Sequence, residues 1–104
     1  MTKKEAMLIF LEKFNNDNNL AEDFFIKSTT RLKEDLELLN HSINSNKIED
    51  IKFHVHKMKY TCSLYKWEEL VALAKEIGLE TSNQNINLKS KQFLSILQEN
   101  LSKF

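Results

Sequence analysis

Proline is absent from this chain, and glycine and cysteine occur once each, at Gly78 and Cys62. Tight hairpins rely on glycine and proline for backbone angles that other residues adopt only at a cost, so the composition argues against a turn-rich all-β fold and for helices. A lone cysteine excludes an internal disulfide and a cysteine-cluster zinc site. Net charge is also missing: fifteen Lys and Arg offset fifteen Asp and Glu, which leaves no global basic excess to suggest nucleic acid as a partner. No apolar run approaches a membrane span. The run after Glu5 stops at Leu11, short for a signal peptide, and Glu12 and Lys13 stand where a small-residue cleavage site would fall. The expectation is one soluble, cytoplasmic, all-α domain over residues 1–104. Met1 followed by a capped first helix favours a complete small protein, and a monomer is the default.

What is present is helical periodicity. Thr2 and Glu5 read as a capping box, opening a helix with Ala6, Met7, Phe10, Leu11 and Phe14 on one face. Asn15 to Asn19 interrupts it, because these short polar side chains compete for backbone hydrogen bonds. Asn19 with Glu22 reads as the next cap. A long amphipathic helix then runs to about Ile43, with Phe25, Leu32, Leu36, Leu39 and Ile43 inward and Phe24 and Ile26 broadening the stripe. Ser42 to Asn46 is a polar turn that permits only an antiparallel return, and Asn46 with Glu49 reads as the cap of a central helix. A fourth stripe (Trp67, Leu70, Val71, Ala74, Ile77) ends at Gly78 or in the polar run after it. A last helix spans Leu88 to about Lys103, with Leu94, Leu97 and Leu101 inward and Phe93 and Ile96 at the margins. The architecture expected is an antiparallel up-down-up-down four-helix bundle with the short first helix across one end.

The central helix, from Lys47 to Tyr65, carries the candidate site. At about 100° per residue, Ile48, Ile51, Val55, Met58, Cys62 and Tyr65 share one apolar arc. His56 lies well outside it, with Lys52, Lys59 and Ser63 nearby, Lys57 further round, and Phe53 and Tyr60 one turn before and after. A histidine on a helix surface is ordinary. Two aromatic rings bracketing it suggest a surface that another protein covers. His54 and His56 diverge by about 160° and cannot grip one metal ion, and no HxxxH or HExxH pattern occurs. Ser63 is too far along for a serine–histidine hydrogen bond. One glycine forbids a Walker loop, a GxGxxG turn or a GxSxG elbow. The adjacent carboxylates Glu34-Asp35 and Glu68-Glu69 read as solvated helix faces. Phosphoryl chemistry on the imidazole survives: a neutral ring nitrogen is a competent nucleophile near pH 7, and Lys59, three residues on, is its neighbour on the helix.

His56-Lys57-Met58-Lys59-Tyr60-Thr61 resembles the His-x-Leu-Lys-Gly-Ser signature of histidine-containing phosphotransfer (HPt) domains. The apolar residue at plus two, the lysine at plus three and the hydroxyl at plus five all agree. The resemblance extends to chain length, the long helix before the histidine helix, the short polar turn between them and the apolar helix after. It implies a bundle that accepts a phosphoryl group on His56 from a receiver-domain aspartate and passes it to another. Lys59 would offset the charge, with Lys52 beside it. The implied partners are a response-regulator receiver domain and a hybrid sensor histidine kinase, with no nucleic acid and no membrane. Such a carrier is not itself an enzyme and binds no cofactor; the receiver brings Mg2+ and the aspartate. The covered surface would include Phe53, Lys57, Tyr60 and Ser63, with Phe24 and Lys27 from the preceding helix. Setting the motif on His54 instead would place its histidine near the core.

Three positions depart from the pattern. Tyr60 occupies the place of a glycine that keeps the surface beside the ring low. Lys66 occupies the place of a second glycine and must close a turn without glycine's freedom. The place of a phosphate-supporting glutamine falls at about Gly78. These departures leave a second reading, an HPt-like module that docks a receiver or kinase without carrying phosphate, and a third, a helical bundle unrelated to signalling. The carrier reading requires an open imidazole; a ring packed inside the bundle, or walled off by Tyr60 with no clear side of approach, would rule it out.

Overall fold

A computed structural model describes residues 1–104. It holds five helices and no strand: α1 (Lys3–Lys13), α2 (Asn18–Asn44), α3 (Ile48–Leu64), α4 (Glu68–Leu79) and α5 (Asn83–Ser102). The molecule is elongated, 44 × 21 × 19 Å, as a 27-residue α2 rising 1.5 Å per residue requires. α3 packs on α2, α4 and α5, and α1 packs on α2. Ser28 of α2 meets Tyr65 at the end of α3, and Asp35 meets Lys57, so these two helices run in opposite senses.

One core runs through the bundle. The arc expected on α3 is inward, with Ile51, Val55, Met58 and Cys62 each at most 1% exposed. Aromatic rings close the end near α1. Tyr65 stacks on Trp67 (centroids 4.6 Å apart) and takes Phe10 edge-on at 5.0 Å, while Phe104 packs on Trp67 and Phe25. Tyr65 Oη and Ser28 Oγ share a hydrogen bond of 2.7 Å in this cluster. Burial pushes the Tyr65 hydroxyl up to about 12, against the opposing pull of that hydrogen bond.

The helix boundaries correct several expectations. The capping box at Thr2 and Glu5 forms, but Asp17, not Asn19, caps α2 by accepting from the Leu20 N–H. Asn46 does not cap α3. It adopts φ 52° and closes α2 instead, with its N–H on the Ile43 carbonyl and the Lys47 N–H on that of Ser42. Lys66 does the same for α3 at φ 59°: its N–H reaches the Ser63 carbonyl and the Trp67 N–H that of Cys62. Both are the paired closure that glycine ordinarily supplies. α4 runs through Gly78, whose φ is not positive, and ends at Leu79. α5 starts at Asn83 behind Ser82, which accepts from the Asn85 N–H. Its inward residues are Ile86, Ser90, Phe93, Leu97 and Leu101, so Phe93 is central rather than marginal and Leu94 is only half-buried.

Candidate functional site

His56 is exposed midway along α3, because the residues that bury this helix occupy the opposite arc. It makes no hydrogen bond within the chain. Contacts with the neighbouring helices give it two unlike flanks. Toward α2, Lys57 Nζ lies 3.2 Å from Asp35 Oδ1 and 5.1 Å from the centroid of the Phe53 ring. On the same flank Tyr60 lines two hollows between α2 and α3, one with Phe24, Lys27, Arg31 and Leu64, the other with Arg31, Asp35, Leu38 and Lys57. Toward α4, Lys52 Nζ donates to the Glu80 carbonyl at 2.8 Å and the Gly78 carbonyl at 3.5 Å. Ser63 lines a shallow hollow with Lys66, Val71, Ala72 and Lys75. Lys59 lies on the same flank, about 60° round the helix from His56 and nearer the buried arc than Lys52 or Ser63, partly exposed and engaged in no hydrogen bond or ion pair.

Of the three lysines around His56, two are therefore occupied. Lys57 links α3 to α2, and Lys52 holds the carbonyl end of α4, where a cation is favoured. Lys59 is free, three residues from the histidine. Phe53 is 58% and Tyr60 68% exposed, so the two outward rings expected beside His56 stand in solvent. Phe24 is half-buried and packs edge-on to Phe10 at 4.9 Å. Lys27 pairs with Asp23 at 2.9 Å on the exposed side of α2.

Asp35 was expected on a solvated face and is 5% exposed. The signal lay in its spacing: three after Leu32 and four before Leu39, it falls on the inward stripe of α2. Arg31, Glu34 and Thr61 shape the larger α2–α3 hollow of about 530 Å³, which helical phase alone does not show, since a groove depends on how two helices pack. His54 is half-buried against Phe53, with its Nδ1 buried and unpartnered. Cys62 is fully buried, and desolvation pushes its thiol up to about 12, far from the range of a nucleophilic cysteine. No helix is long and apolar enough to cross a membrane. In comparisons with known proteins the chain matches no family model, no curated protein and no solved structure.

Proposed function

We propose that this protein is a histidine phosphotransfer carrier of a two-component phosphorelay, an antiparallel up-down-up-down bundle of α2 to α5 with α1 as an addition, working in the cytoplasm. The observation that carries the reading is an exposed imidazole on the outward face of a buried helix, with one uncommitted ammonium three residues on. In the transfer, His56 Nε2 attacks the phosphorus of a receiver's aspartyl phosphate. A P–N bond forms, the P–O bond to the aspartate breaks, and the carboxylate leaves with that electron pair; the ring proton stays on Nδ1. The receiver supplies the Mg2+ that screens its own acidic pocket. Lys59 stands where it offsets the dianion that arrives on the ring. The reverse reaction delivers the group to a second receiver. Phe53, Tyr60 and the neighbouring α2 surface around Phe24 and Lys27 would meet the partner, with the lysines favouring encounter with an acidic pocket.

The experiment is a comparison of the wild type with His56→Gln. The wild type should take up phosphate from a phosphorylated receiver domain; the variant should take up none while keeping the same helical circular dichroism. Equal uptake by both would refute the assignment. The second reading, a module that docks a receiver without carrying phosphate, draws on the ring of Tyr60 standing 68% exposed on the turn after His56. It expects receiver binding that His56→Ala leaves intact, and no transfer.

A further inference from the structure

The two flanks of His56 differ in a way that bears on which partners reach it. Tyr60 lies about 40° round the helix from His56 on the α2 side, and Lys59 about 60° round on the α4 side. A long side chain on a helix leans back over the preceding turn, which for Tyr60 is the turn of His56 and Lys57. Tyr60 also lines both α2–α3 hollows, with Phe24 and Leu64 in one and Asp35 and Leu38 in the other. Phe53 stands on the same side one turn before His56, held by the Lys57 ammonium over its face. On the opposite flank stand only flexible or small side chains, Lys52, Lys59 and Ser63. The imidazole is thus walled on one side and open on the other.

We infer that Tyr60 is a specificity-determining residue, which admits receiver domains whose surface opposite the phenol is small and rejects those that place a bulky side chain there. The inference rests on the carrier reading. A receiver must bring its phosphoryl group to bonding distance of Nε2, and at that distance its surface also has to clear a ring that stands 68% exposed one turn away. A clash built against the wrong partner discriminates as well as an attraction to the right one. A donor the size of phosphate reaches the imidazole along the lysine flank and does not meet the wall.

Phosphoramidate and a panel of phosphorylated receiver domains separate these effects. With phosphoramidate, Nε2 attacks phosphorus, the donor's P–N bond breaks and ammonia leaves. His56→Gln serves as the blank for His41 and His54. Wild type, Tyr60→Phe and Tyr60→Ala are compared; alanine is the best helix former, and the exposed ring leaves no cavity. Phosphoramidate should label all three at His56 at similar rates. Receivers that serve the wild type poorly should gain about tenfold with Tyr60→Ala, the size of relieving one overpacked contact, and gain nothing with Tyr60→Phe, which keeps the wall. An unchanged receiver ranking in Tyr60→Ala, with or without transfer to the wild type, overturns the inference. So does a gain with phosphoramidate equal to the gain with receivers, which makes Tyr60 a cover on the ring. Absence of His56 labelling by phosphoramidate and receivers alike, in every variant, instead removes the carrier reading and the inference with it.

Discussion

At Cys62 and Tyr65 burial acts on chemistry that can be titrated. Desolvation holds the Cys62 thiol up to about 12, so almost no thiolate exists at pH 8. An aromatic disulfide reagent should therefore modify Cys62 no faster than the chain unfolds, and the rate should rise with denaturant; rapid labelling of the native protein would contradict the burial. Tyr65 titrates ordinarily near 10 and in the folded chain at about 12. A folded value above the unfolded one means its stabilising effect is complete below pH 10 and is lost as pH rises through about 12. Cys62 acts with the same sign, beginning near pH 9. Tyr65→Phe should cost about 0.5–1.5 kcal/mol at neutral pH for the hydrogen bond to Ser28, and should weaken the alkaline loss to the part Cys62 causes. Thermal melts from pH 8 to 12 test both statements. Cys62, Tyr65 and Asp35 were all legible as inward residues from phase alone. The pairing of Asp35 with Lys57 was not, because it depends on α2 and α3 lying side by side.

At the scale of the helices, phase was enough to find all five, since each carries apolar residues three and four apart. Their ends were harder to read. The Asn15–Asn19 run ends α1 as expected. But Asn and Asp serve equally well as caps and as residues of positive φ, so the cap of α2 falls on Asp17 rather than Asn19, and Asn46 takes a positive φ rather than capping α3. The start of α5 was hidden by Asn83, Gln84 and Asn85, and only Ile86, seven before Phe93, extends the stripe that far. Lys66 stands where the turn lacks its glycine, and the turn closes with φ 59°. A left-handed side chain costs about 1–2 kcal/mol, partly returned by glycine's greater unfolded freedom, so Lys66→Gly should stabilise by about 0.5–1 kcal/mol. Gly78 is the converse. It is helical, and a Cβ there would meet nothing within 4 Å, so Gly78→Ala should also gain about 0.5–1 kcal/mol. A gain of 1 kcal/mol raises the melting midpoint of a chain this size by about 4–8 °C; a fall in either variant would contradict the turn or the helix assigned.

For the whole molecule, the organisation reduces to a long bundle that buries one face of α3 and presents the other. Aromatic packing around Tyr65 and Trp67 closes one end, and the Lys52 ammonium ties α3 to the carbonyl end of α4. His56 is held between them on a rigid helix rather than on a loop. The exposed phase of the histidine and the rings bracketing it were legible in the sequence. The division of the surrounding lysines into two committed and one free was not, because it depends on what α2 and α4 bring alongside. The measurement closest to the central claim is transfer of labelled phosphate from a phosphorylated receiver domain to the intact protein, followed by the stability of the bound label. The account predicts label on His56 that is lost in acid and survives alkali, as a phosphoramidate bond requires. No label, or label that survives acid on a serine or threonine, would contradict it.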